Sequence, residues 1–478
     1  MPTLEWIGKS KVINHHQEVP FRVLERKYSF DESGQHNEDN GSENMIIRGD
    51  NLEALKALLP RYEGRIKCIY IDPPYNTGNE GWVYNDNVND PKIKKWLGEV
   101  VGKEGEDLTR HDKWLCMMYP RLKLLQKLLA DDGVILISID DTECSNLILI
   151  CNEIFGASNF VANVSWQRTY SPRNDSKGIV SEVEHLVVFS KNPGWQPNKL
   201  PRTEAMDSRY KNPDNDVAPW KSSDAFAPGA ATHQGMVYAI QHPFTGEMLY
   251  PSNGRCWRYQ QSSMLEYMQG WCNYRLENLH DEKERARVCG IDESAVRKDV
   301  LAIVLEEPLE VSAAKAQKVY NRGRWPGFYF TKGGYGGIAR KTYLENVGGR
   351  LPTNLWMYEE TGHTDEAKKE LISLFGGRSP FDTPKPTRLL DFVLKVAGTS
   401  ETLMLDSFAG SGTTAHAVLN ANKADNGNRH FILIEMMDYA DSITAERVKR
   451  VIKGYGEGKN AVEGTGGNFS FYDLGEPL

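Results

Sequence analysis

The sequence predicts an α/β fold in which a doubly wound parallel sheet is interrupted by an inserted second domain. Apolar, strand-like runs alternate with helix-patterned segments near both ends of the chain, and this alternation stops between about residues 191 and 378. The chain has 478 residues, more than one ordinary core requires, and its hydrophobic content of 40% supports a folded protein.

Residues 44–190 contain the first half of the predicted alternation. They follow a polar N-terminal arm at residues 1–43, which ends in an Asp/Glu/Asn/Gly-rich stretch and is expected to be loosely ordered. The predicted elements are a strand at MIIRGD, a helix at NLEALKALL, a strand at IKCIYI, a helix at WLCMMYPRLKLLQKLLA, a strand at VILISID and a helix at SNLILICNEIFG. Two strand-like runs follow, NFVANVSW and EHLVVFSK, which we expect to close a hairpin at the sheet edge.

Residues 191–378 form the predicted inserted domain. This segment is irregular and rich in Trp, Tyr, Gly and Pro, with a charged, helix-patterned piece around residues 281 to 320. The alternation resumes in residues 379–478 at TRLLDFVLKVA, ETLMLDSF, GTTAHAVLNAN, RHFILIEM and AERVKRVIKGY. Because both ends of the chain carry the same β/α pattern, we expect them to complete one sheet.

Charge, hydropathy and cysteine usage exclude several classes of protein. A formal net charge of −8 argues against a protein that coats nucleic acid through overall positive charge, so DNA binding would require local basic patches. The sequence has no signal-peptide pattern and no apolar run near the roughly 20 residues of a membrane span, so we expect a cytoplasmic protein without a membrane partner. The seven cysteines include no Cys-x-x-Cys pair, which indicates reduced thiols and no metal site.

A glycine-rich turn lies near the C-terminus, in LMLDSFAGSGTTAHAV. It follows an apolar strand that ends at Asp406, contains Gly410 and Gly412, and opens a helix with Thr413 and Thr414. Such a turn lets a ligand approach the backbone closely and presents helix N-terminal amides to a polar group. The turn therefore indicates a ligand-binding site.

The next strand, FILIEM, ends in Glu435, whose carboxylate can accept hydrogen bonds from both hydroxyls of a ribose. Two other interpretations of this region stay open. The glycines could serve only close packing, or the turn could belong to a nicotinamide dehydrogenase, because Ala415 is a tolerated variant where that class has a third glycine.

A second motif, Asp72-Pro73-Pro74-Tyr75, comes directly after the strand-like IKCIYI. Two consecutive prolines stiffen the turn, so the Asp72 carboxylate, a prolyl carbonyl and the Tyr75 ring are held in a preset arrangement. The exocyclic amine of adenine is a poor nucleophile because its lone pair is delocalised into the ring. Two acceptors on its N–H groups would favour a pyramidal nitrogen with an available lone pair, and the carboxylate and the carbonyl supply both.

A base can reach this turn only after leaving the duplex stack, which costs a few kcal/mol. Stacking on an aromatic ring is worth roughly 1–3 kcal/mol, so Tyr75 can offset a large part of that cost. The alternative interpretation of the motif is a proline-rich loop with a satisfied aspartate.

With DPPYNTGN before the irregular region and DSFAGSGTT after it, the sequence resembles the β class of amino-DNA methyltransferases, particularly the modification subunits of type III restriction systems. In that family the catalytic motif precedes the cofactor motif, as here. The resemblance covers about residues 44 to 190 and 380 to 453. It implies a Rossmann-like methyltransferase sheet with circularly permuted motif order, a catalytic half at 44–190, a cofactor-binding half at 379–478 and a target-recognition domain inserted between them.

The resemblance also implies roles for individual residues. Asp72, Pro73, Pro74 and Tyr75 match the catalytic motif, and S-adenosylmethionine is the implied cofactor. The implied cofactor-binding residues are Asp50, Lys385, Pro386, Thr387, Asp406, Phe408, Gly410, Gly412, Thr413, Thr414 and Glu435.

Two members of this set rest on weaker matches. Asp50 matches the family's acid near the cofactor adenine, but a helix N-cap is an alternative role for it. The segment FDTPKPTRLL, which contains Lys385, resembles the Lys-Pro motif before the first cofactor strand, and its loop would cover the methionine end of the cofactor.

An aspartate in the first position of the catalytic motif usually accompanies adenine in this family, whereas serine commonly accompanies cytosine N4. The resemblance therefore favours N6 of adenine. Cytosine C5 methylation needs a cysteine nucleophile, typically preceded by proline, and the sequence has no Pro-Cys pair.

The inserted region has one basic, aromatic segment between residues 321 and 350 that could neutralise phosphates and offer stacking surfaces. Its candidate DNA-binding residues are Arg322, Arg324, Lys332, Arg340 and Lys341, and Arg350 extends the set. The interleaved aromatic residues are Trp325, Phe328, Tyr329, Phe330 and Tyr335. A solvated loop over a small aromatic core is the alternative.

We therefore expect a site-specific adenine methyltransferase that acts on double-stranded DNA, within a restriction-modification or other DNA-defence system. Its expected location is cytoplasmic and associated with the nucleoid, and a homodimer and a restriction subunit are candidate partners. The alternatives are a methyltransferase that acts on N4 of cytosine, on RNA or on a protein amide, and a catalytically silent DNA-recognition subunit.

Overall fold

Eleven strands of the described residues pair into one mixed sheet. The computed structural model describes residues 3–77, 99, 110–171 and 178–478. In chain order the strands are β1 Arg22–Asp31, β2 Gly34–His36, β3 Met45–Arg48, β4 Ile66–Ile71, β5 Leu129–Ile139, β6 Phe160–Gln167, β7 Val183–Ser190, β8 Leu355–Trp356, β9 Leu403–Asp406, β10 His430–Glu435 and β11 Asn468–Pro477. Their order across the sheet is β8-β6-β7-β5-β4-β9-β10-β3-β11-β1-β2.

The centre of this sheet is parallel. Strands β5, β4, β9, β10, β3 and β11 run in one direction, whereas β7 pairs antiparallel with β5 at one side and β1 antiparallel with β11 at the other. The predicted β6–β7 hairpin forms, and β8 adds outside β6. The doubly wound α/β sheet is confirmed.

Helices cover both faces of the sheet. They are α1 Asn51–Tyr62, α2 Arg110–Leu128, α3 Cys144–Phe155, α4 Thr364–Phe375, α5 Thr387–Ala397, α6 Thr413–Asp425 and α7 Glu446–Lys453, besides single turns at Lys9–Val12, His15–Glu18 and Tyr358–Thr361. One core joins Ile69 and Ile71 of β4 to α1, α2 and α3, and a second joins Cys68 and Tyr70 to α5, α6 and α7. Both cores are filled because successive residues of a strand point to opposite faces.

The structure corrects the expectation of a loosely ordered N-terminal arm at residues 1–43. Strand β1 pairs with β11 at the other end of the chain. Tyr28 stacks on Phe471 with ring centroids 5.1 Å apart, and Phe30 stacks on Phe469 at 5.7 Å. Local composition does not predict this pairing because the strand that buries these rings lies more than 400 residues away.

The second compact unit comprises residues 201–350, and the first comprises residues 1–200 and 351–478. The second unit is shorter than the predicted insertion at 191–378, because strand β8 and helix α4 belong to the first unit. Its helices are Glu204–Asp207, Gln261–Gln269, Glu282–Cys289 and Leu309–Arg322. Its strands are Trp220–Asp224, Phe226–Pro228, Ile240–Gln241, Met248–Leu249, Arg255–Trp257, Tyr274–Glu277, Ala302–Leu305, Phe328–Phe330 and Ile338–Tyr343.

The second unit has an aromatic core of its own. Trp257 and Trp271 are each 1% exposed, and they pack with other aromatic and aliphatic side chains. The charged piece predicted around residues 281 to 320 is two helices separated by the strand Ala302–Leu305. Within the ranges that the structure describes, no helix is both long and apolar enough to cross a membrane.

Candidate active site

Four carboxylates lie at the same edge of the parallel sheet. Asp72 directly follows β4, Asp406 and Glu435 end β9 and β10, and Asp50 comes two residues after β3. These four strands are neighbours in the order β4-β9-β10-β3, and their carboxyl ends meet at one edge because they are parallel. From β4 the chain continues to β5 on one side, and from β9 to β10 on the other. Ligands of open α/β sheets bind at such a switch point.

The Asp72-Pro73-Pro74-Tyr75 turn is held from two directions. The Tyr75 hydroxyl donates to Asp72 Oδ1 at 2.9 Å, and the Trp114 indole donates to the Pro74 carbonyl at 2.7 Å. Both prolines are buried, whereas the Asp72 side chain keeps 25% of its surface exposed. The turn therefore presents a carboxylate from a stiff, supported backbone.

Lys385 lies against this turn. Its Nζ donates to both carboxylate oxygens of Asp72 at 2.8 Å and to the Tyr75 hydroxyl at 2.9 Å. Burial lowers the pKa of Lys385, but the Asp72 and Glu184 carboxylates raise it further, so the net pKa lies above its usual value. The Lys385 side chain thus contacts the Asp72–Tyr75 turn, because two carboxylates in a buried setting attract the ammonium, and its carbonyl accepts from the Thr413 hydroxyl at 3.2 Å beside the glycine-rich turn. Its role toward the cofactor stays a prediction.

Glu184 is a site residue that the sequence analysis missed. It lies on β7, and its Oε2 lies 3.0 Å from the Tyr75 hydroxyl oxygen and 3.5 Å from Lys385 Nζ. Arg168 donates to its Oε1 at 3.2 Å. Burial raises the pKa of the Tyr75 hydroxyl well above its usual value, and the charge of the nearby Asp72 carboxylate raises it further. The hydroxyl therefore keeps its proton. The only sequence signal for Glu184 was an acid among the apolar residues of a buried strand.

Asp406 supports the glycine-rich turn. Its Oδ1 accepts from the Phe408 amide at 3.0 Å and its Oδ2 from the Thr414 hydroxyl at 2.6 Å. Asp406 is 3% exposed, and burial raises its pKa to about 7. The predicted residues Asp406, Phe408 and Thr414 thus lie together, and the acid is poised between its charged and neutral forms near neutral pH.

Glu435 lies beside the same turn. Its Oε2 accepts from the Gly410 amide at 2.8 Å and its Oε1 from the Met437 amide at 3.0 Å. Burial raises the pKa of Glu435 to about 7. Gly410 and Gly412 have φ values of 50° and 81°, and a Cβ at Gly412 would lie 3.0 Å from the Thr444 carbonyl. This left-handed backbone and close approach explain both glycines.

Asp50 is the N-cap of α1. Its Oδ1 accepts from the amides of Leu52 at 2.8 Å and Glu53 at 3.3 Å, and its Oδ2 lies 3.2 Å from the Arg121 guanidinium. The capping role that the sequence left open is therefore present. The carboxylate stays 31% exposed, so a further contact with a ligand is compatible with it.

The hydroxyls of Thr387 and Thr413 belong to a buried network around Arg447. The guanidinium donates to Thr413 Oγ1 at 2.8 Å and to Thr387 Oγ1 at 3.0 Å, and it pairs with Glu370 at 3.0 Å. Pro386 occupies the N-cap position of α5. Arg447 was missed because an arginine in an amphipathic helix gives no sign of burial. Through this network, α4, α5 and α7 hold the first residue of α6 in place.

The basic segment of the second unit is only partly exposed. Arg322, Arg324 and Lys332 are exposed, and Arg340 is half-buried. The prediction that Lys341 binds DNA is wrong, because its side chain has no exposed surface and pairs with Asp214 and Asp216.

The aromatic side chains of this segment divide in the same way. Phe328 and Phe330 are each 1% exposed and Tyr329 is 7% exposed, so they belong to the core of the unit and are not stacking surfaces. Tyr335 is 63% exposed. Phe328 and Phe330 point to one face of their strand and Tyr329 points to the other, so this strand is covered on both faces.

Comparison with known proteins gives matches that include both motifs. A family model described as DNA methylase matches residues 66–446. The StyLTI Mod subunit of a type III restriction-modification enzyme from Salmonella typhimurium is 32% identical over 87% of this chain and 58% of that protein. The EcoPI Mod subunit from Escherichia phage P1 is 30% identical over 91% of this chain and 63% of that protein.

The type II methyltransferase M.KpnI from Klebsiella pneumoniae is 28% identical over 83% of this chain and 81% of that protein. The chain thus matches most of the length of M.KpnI but less than two thirds of the length of the two type III subunits.

Proposed function

The chain belongs to the DNA methylase family, and from this premise we propose that it transfers a methyl group from S-adenosylmethionine to N6 of a flipped-out adenine in double-stranded DNA. The observation that carries the proposal is the position of Asp72. Its carboxylate projects from a stiff turn at the end of β4, next to β9, which leads into the glycine-rich turn. The turns to which we assign catalysis and cofactor binding are thus neighbours at one edge of the sheet.

The proposed role of Asp72 is to accept one N–H of the adenine amine. The Pro74 carbonyl already accepts from the Trp114 indole, so we assign the second acceptor to the carbonyl of Pro73. With both N–H groups bonded, the nitrogen lone pair is directed away from the ring and becomes available for methyl transfer. Preorganised acceptors of this kind act without reorganisation during the reaction.

The residues around the glycine-rich turn fit S-adenosylmethionine. Asp406 and Glu435 are buried carboxylates on the two sides of this turn, and both accept hydrogen bonds that fix their orientation. Carboxylates at the ends of neighbouring strands suit the ribose hydroxyls and the ammonium of the cofactor. When bound, the cofactor supplies a methyl group on a sulfonium. Asp50 at the end of β3 would be the nearest carboxylate for the adenine moiety.

Tyr75 is the proposed stacking partner of the flipped base. Its hydroxyl lies beside Asp72 and Glu184, which orients the ring, and Lys385 Nζ lies 5.0 Å from the ring centroid. Stacking worth roughly 1–3 kcal/mol would offset much of the cost of flipping.

Nucleoside analysis tests the reaction. DNA incubated with the protein and S-adenosylmethionine is digested, and the nucleosides are identified by mass spectrometry. We expect N6-methyladenine. N4-methylcytosine would favour the cytosine alternative, and DNA that is bound without any methylated nucleoside would favour a silent recognition subunit.

We further propose that the unit at residues 201–350 is the target-recognition domain, with residues 44–190 and 379–478 as the catalytic and cofactor-binding halves. The exposed basic residues Arg322, Arg324 and Lys332 support it, because exposed cations can neutralise phosphates. Lys341 is not part of this proposal.

A restriction subunit is the proposed protein partner, since two of the relatives are named as Mod subunits of type III restriction-modification enzymes. A homodimer is a second proposal. Light scattering on the purified protein, alone and with a candidate restriction subunit, would measure both assemblies. A monomer that stays unchanged on mixing would contradict both.

A further inference from the structure

Lys385 occupies the acceptor that the adenine amine would need. Its ammonium donates to both oxygens of Asp72, and Oδ1 of Asp72 also accepts from the Tyr75 hydroxyl. The Lys385 side chain is 12% exposed, so it is fixed in the site and not a solvated surface group. An N–H of an entering adenine therefore competes with the lysine ammonium for the Asp72 carboxylate.

We propose that Lys385 is a positioning residue that holds Asp72 while the site is free of a base and shifts to Glu184 when the adenine amine enters. The inference rests on the proposed function, since it concerns the same amine. Glu184 Oε2 already pairs with the lysine Nζ at 3.5 Å, so a short movement of the ammonium tightens this pair as it leaves Asp72.

Charge gives the shift a reason. The adenine nitrogen gains positive charge as it takes the methyl group, and an ammonium beside it on Asp72 would oppose that charge in a low-dielectric site. Moving the ammonium to Glu184 leaves Asp72 to stabilise the reacting nitrogen.

Glu184 is placed to receive the lysine. Its Oε1 is held by Arg168 at 3.2 Å, while its Oε2 faces Tyr75 and Lys385. The Tyr75 hydroxyl has one proton, and its donation to Asp72 Oδ1 leaves Glu184 Oε2 available to accept from the lysine. The cluster contains two carboxylates and two cations, and it stays neutral whether the lysine pairs with Asp72 or with Glu184. Its members are Asp72, Glu184, Lys385 and Arg168.

The test is a mutant cycle of Glu184→Gln, Lys385→Met and the double variant. The readout is a titration with a duplex that carries 2-aminopurine at the adenine methylated by the wild-type protein. Glu184→Gln should weaken base entry by about tenfold in the wild-type background, because the lysine loses a charged partner. The same substitution should change base entry by less than about twofold in the Lys385→Met background, since no lysine remains to be received.

An equal loss in both backgrounds would show that Glu184 only supports the fold around Tyr75, and it would overturn the inference. The absence of any loss in the wild-type background would do the same. Lys385→Gln repeats the cycle if Lys385→Met does not fold, and Lys395→Met, at an exposed lysine of α5, is the matched control.

Steady-state kinetics provide a second readout. The Glu184→Gln defect should appear in KM for DNA and also in the single-turnover rate at saturating DNA, because the ammonium then stays on Asp72 beside the charge that develops on the adenine nitrogen, and both losses should be smaller in the Lys385→Met background. If the wild-type protein methylates no DNA, the proposed function itself is wrong. If the wild type is active but the effects of Glu184→Gln and Lys385→Met on base entry are additive, only the proposed shift of Lys385 is wrong.

Discussion

Lys341 and Asp214 form a fully buried ion pair in the second unit, with Nζ 2.5 Å from Oδ2 and no exposed surface on either side chain. The same ammonium contacts Asp216 and donates to the Trp325 carbonyl at 2.8 Å. The lysine thus joins the segment around residue 214 to the hairpin that ends the unit. Its charge stabilises the fold and is not available to a phosphate.

Lys341→Met should therefore destabilise the second unit by about 3–5 kcal/mol, because it leaves two buried carboxylates without their cation. Urea unfolding followed by tryptophan fluorescence measures the effect, since Trp220 and Trp325 lie beside the pair. Lys332→Met at an exposed position is the control and should change stability by no more than about 0.5 kcal/mol. Equal stability of the two variants would contradict the structural role.

Replacing Arg322, Arg324 and Lys332 together by alanine should weaken DNA binding and flatten its salt dependence. Each lost phosphate contact lowers the slope of log affinity against log salt by about 0.9. Binding measured by fluorescence anisotropy over a salt series tests this, with Lys283→Ala, at an exposed lysine of the same unit, as the control. A triple variant with the slope of the wild type would mean that the segment is a solvated loop.

Gly410→Val should weaken binding of S-adenosylmethionine by about tenfold or more, since φ is 50° at this position and a branched side chain there costs about 1–3 kcal/mol and displaces the amide bonded to Glu435. Isothermal calorimetry gives the affinity. Gly376→Val is a matched control, because Gly376 also has a positive φ of 76° but lies at the end of α4 in open space. The glycine-rich turn would not be the cofactor site if both variants bound equally.

Asp72→Ala should abolish methyl transfer and leave the fold intact, because it removes the acceptor for the adenine amine and leaves the glycine-rich turn in place. Tyr75→Ala should be milder, with a loss of about one to two powers of ten, since stacking contributes roughly 1–3 kcal/mol. Single-turnover methylation measures both, and circular dichroism checks the fold. Asp131→Ala, at an exposed aspartate of β5, is the control. If the Asp72→Ala protein methylates DNA at near the wild-type rate, the turn has only a structural role.

The stability of the cofactor-free protein should depend on pH through Asp406 and Glu435. Burial raises the pKa of each to about 7 in the folded state, so the folded protein binds these protons more tightly than the unfolded chain does. Their contribution to stability is therefore largest below about pH 4, decreases as the pH rises, and levels off above about pH 7.

The measurement for this pH dependence is the difference in Tm between the wild type and the Asp406→Asn, Glu435→Gln variant from about pH 5 to pH 8. The variant should gain stability relative to the wild type as the pH rises. Affinity for S-adenosylmethionine should run in the opposite sense in the wild type, because the ionised carboxylates are the better acceptors for its hydroxyls and ammonium. A pH-independent difference in Tm would contradict the raised pKa values.

The sequence by itself determined the alternation of strands and helices in residues 44–190 and 379–453 and the two turns at Asp72 and Gly410. These features are local: a strand buried on both faces reads as a short apolar run, and consecutive prolines or glycines restrict or free the backbone whatever surrounds them.

Only the tertiary structure decided which charged side chains meet. Lys385 and Asp72 are 313 residues apart in the chain, and Lys341 and Asp214 are 127 apart. The polar segment at Arg22–Asp31 likewise became a strand because β11 supplied a partner from the far end of the chain. A lysine in a basic segment is the same letter whether it faces water or a buried carboxylate, and the difference is set by the desolvation and pairing that long-range packing imposes.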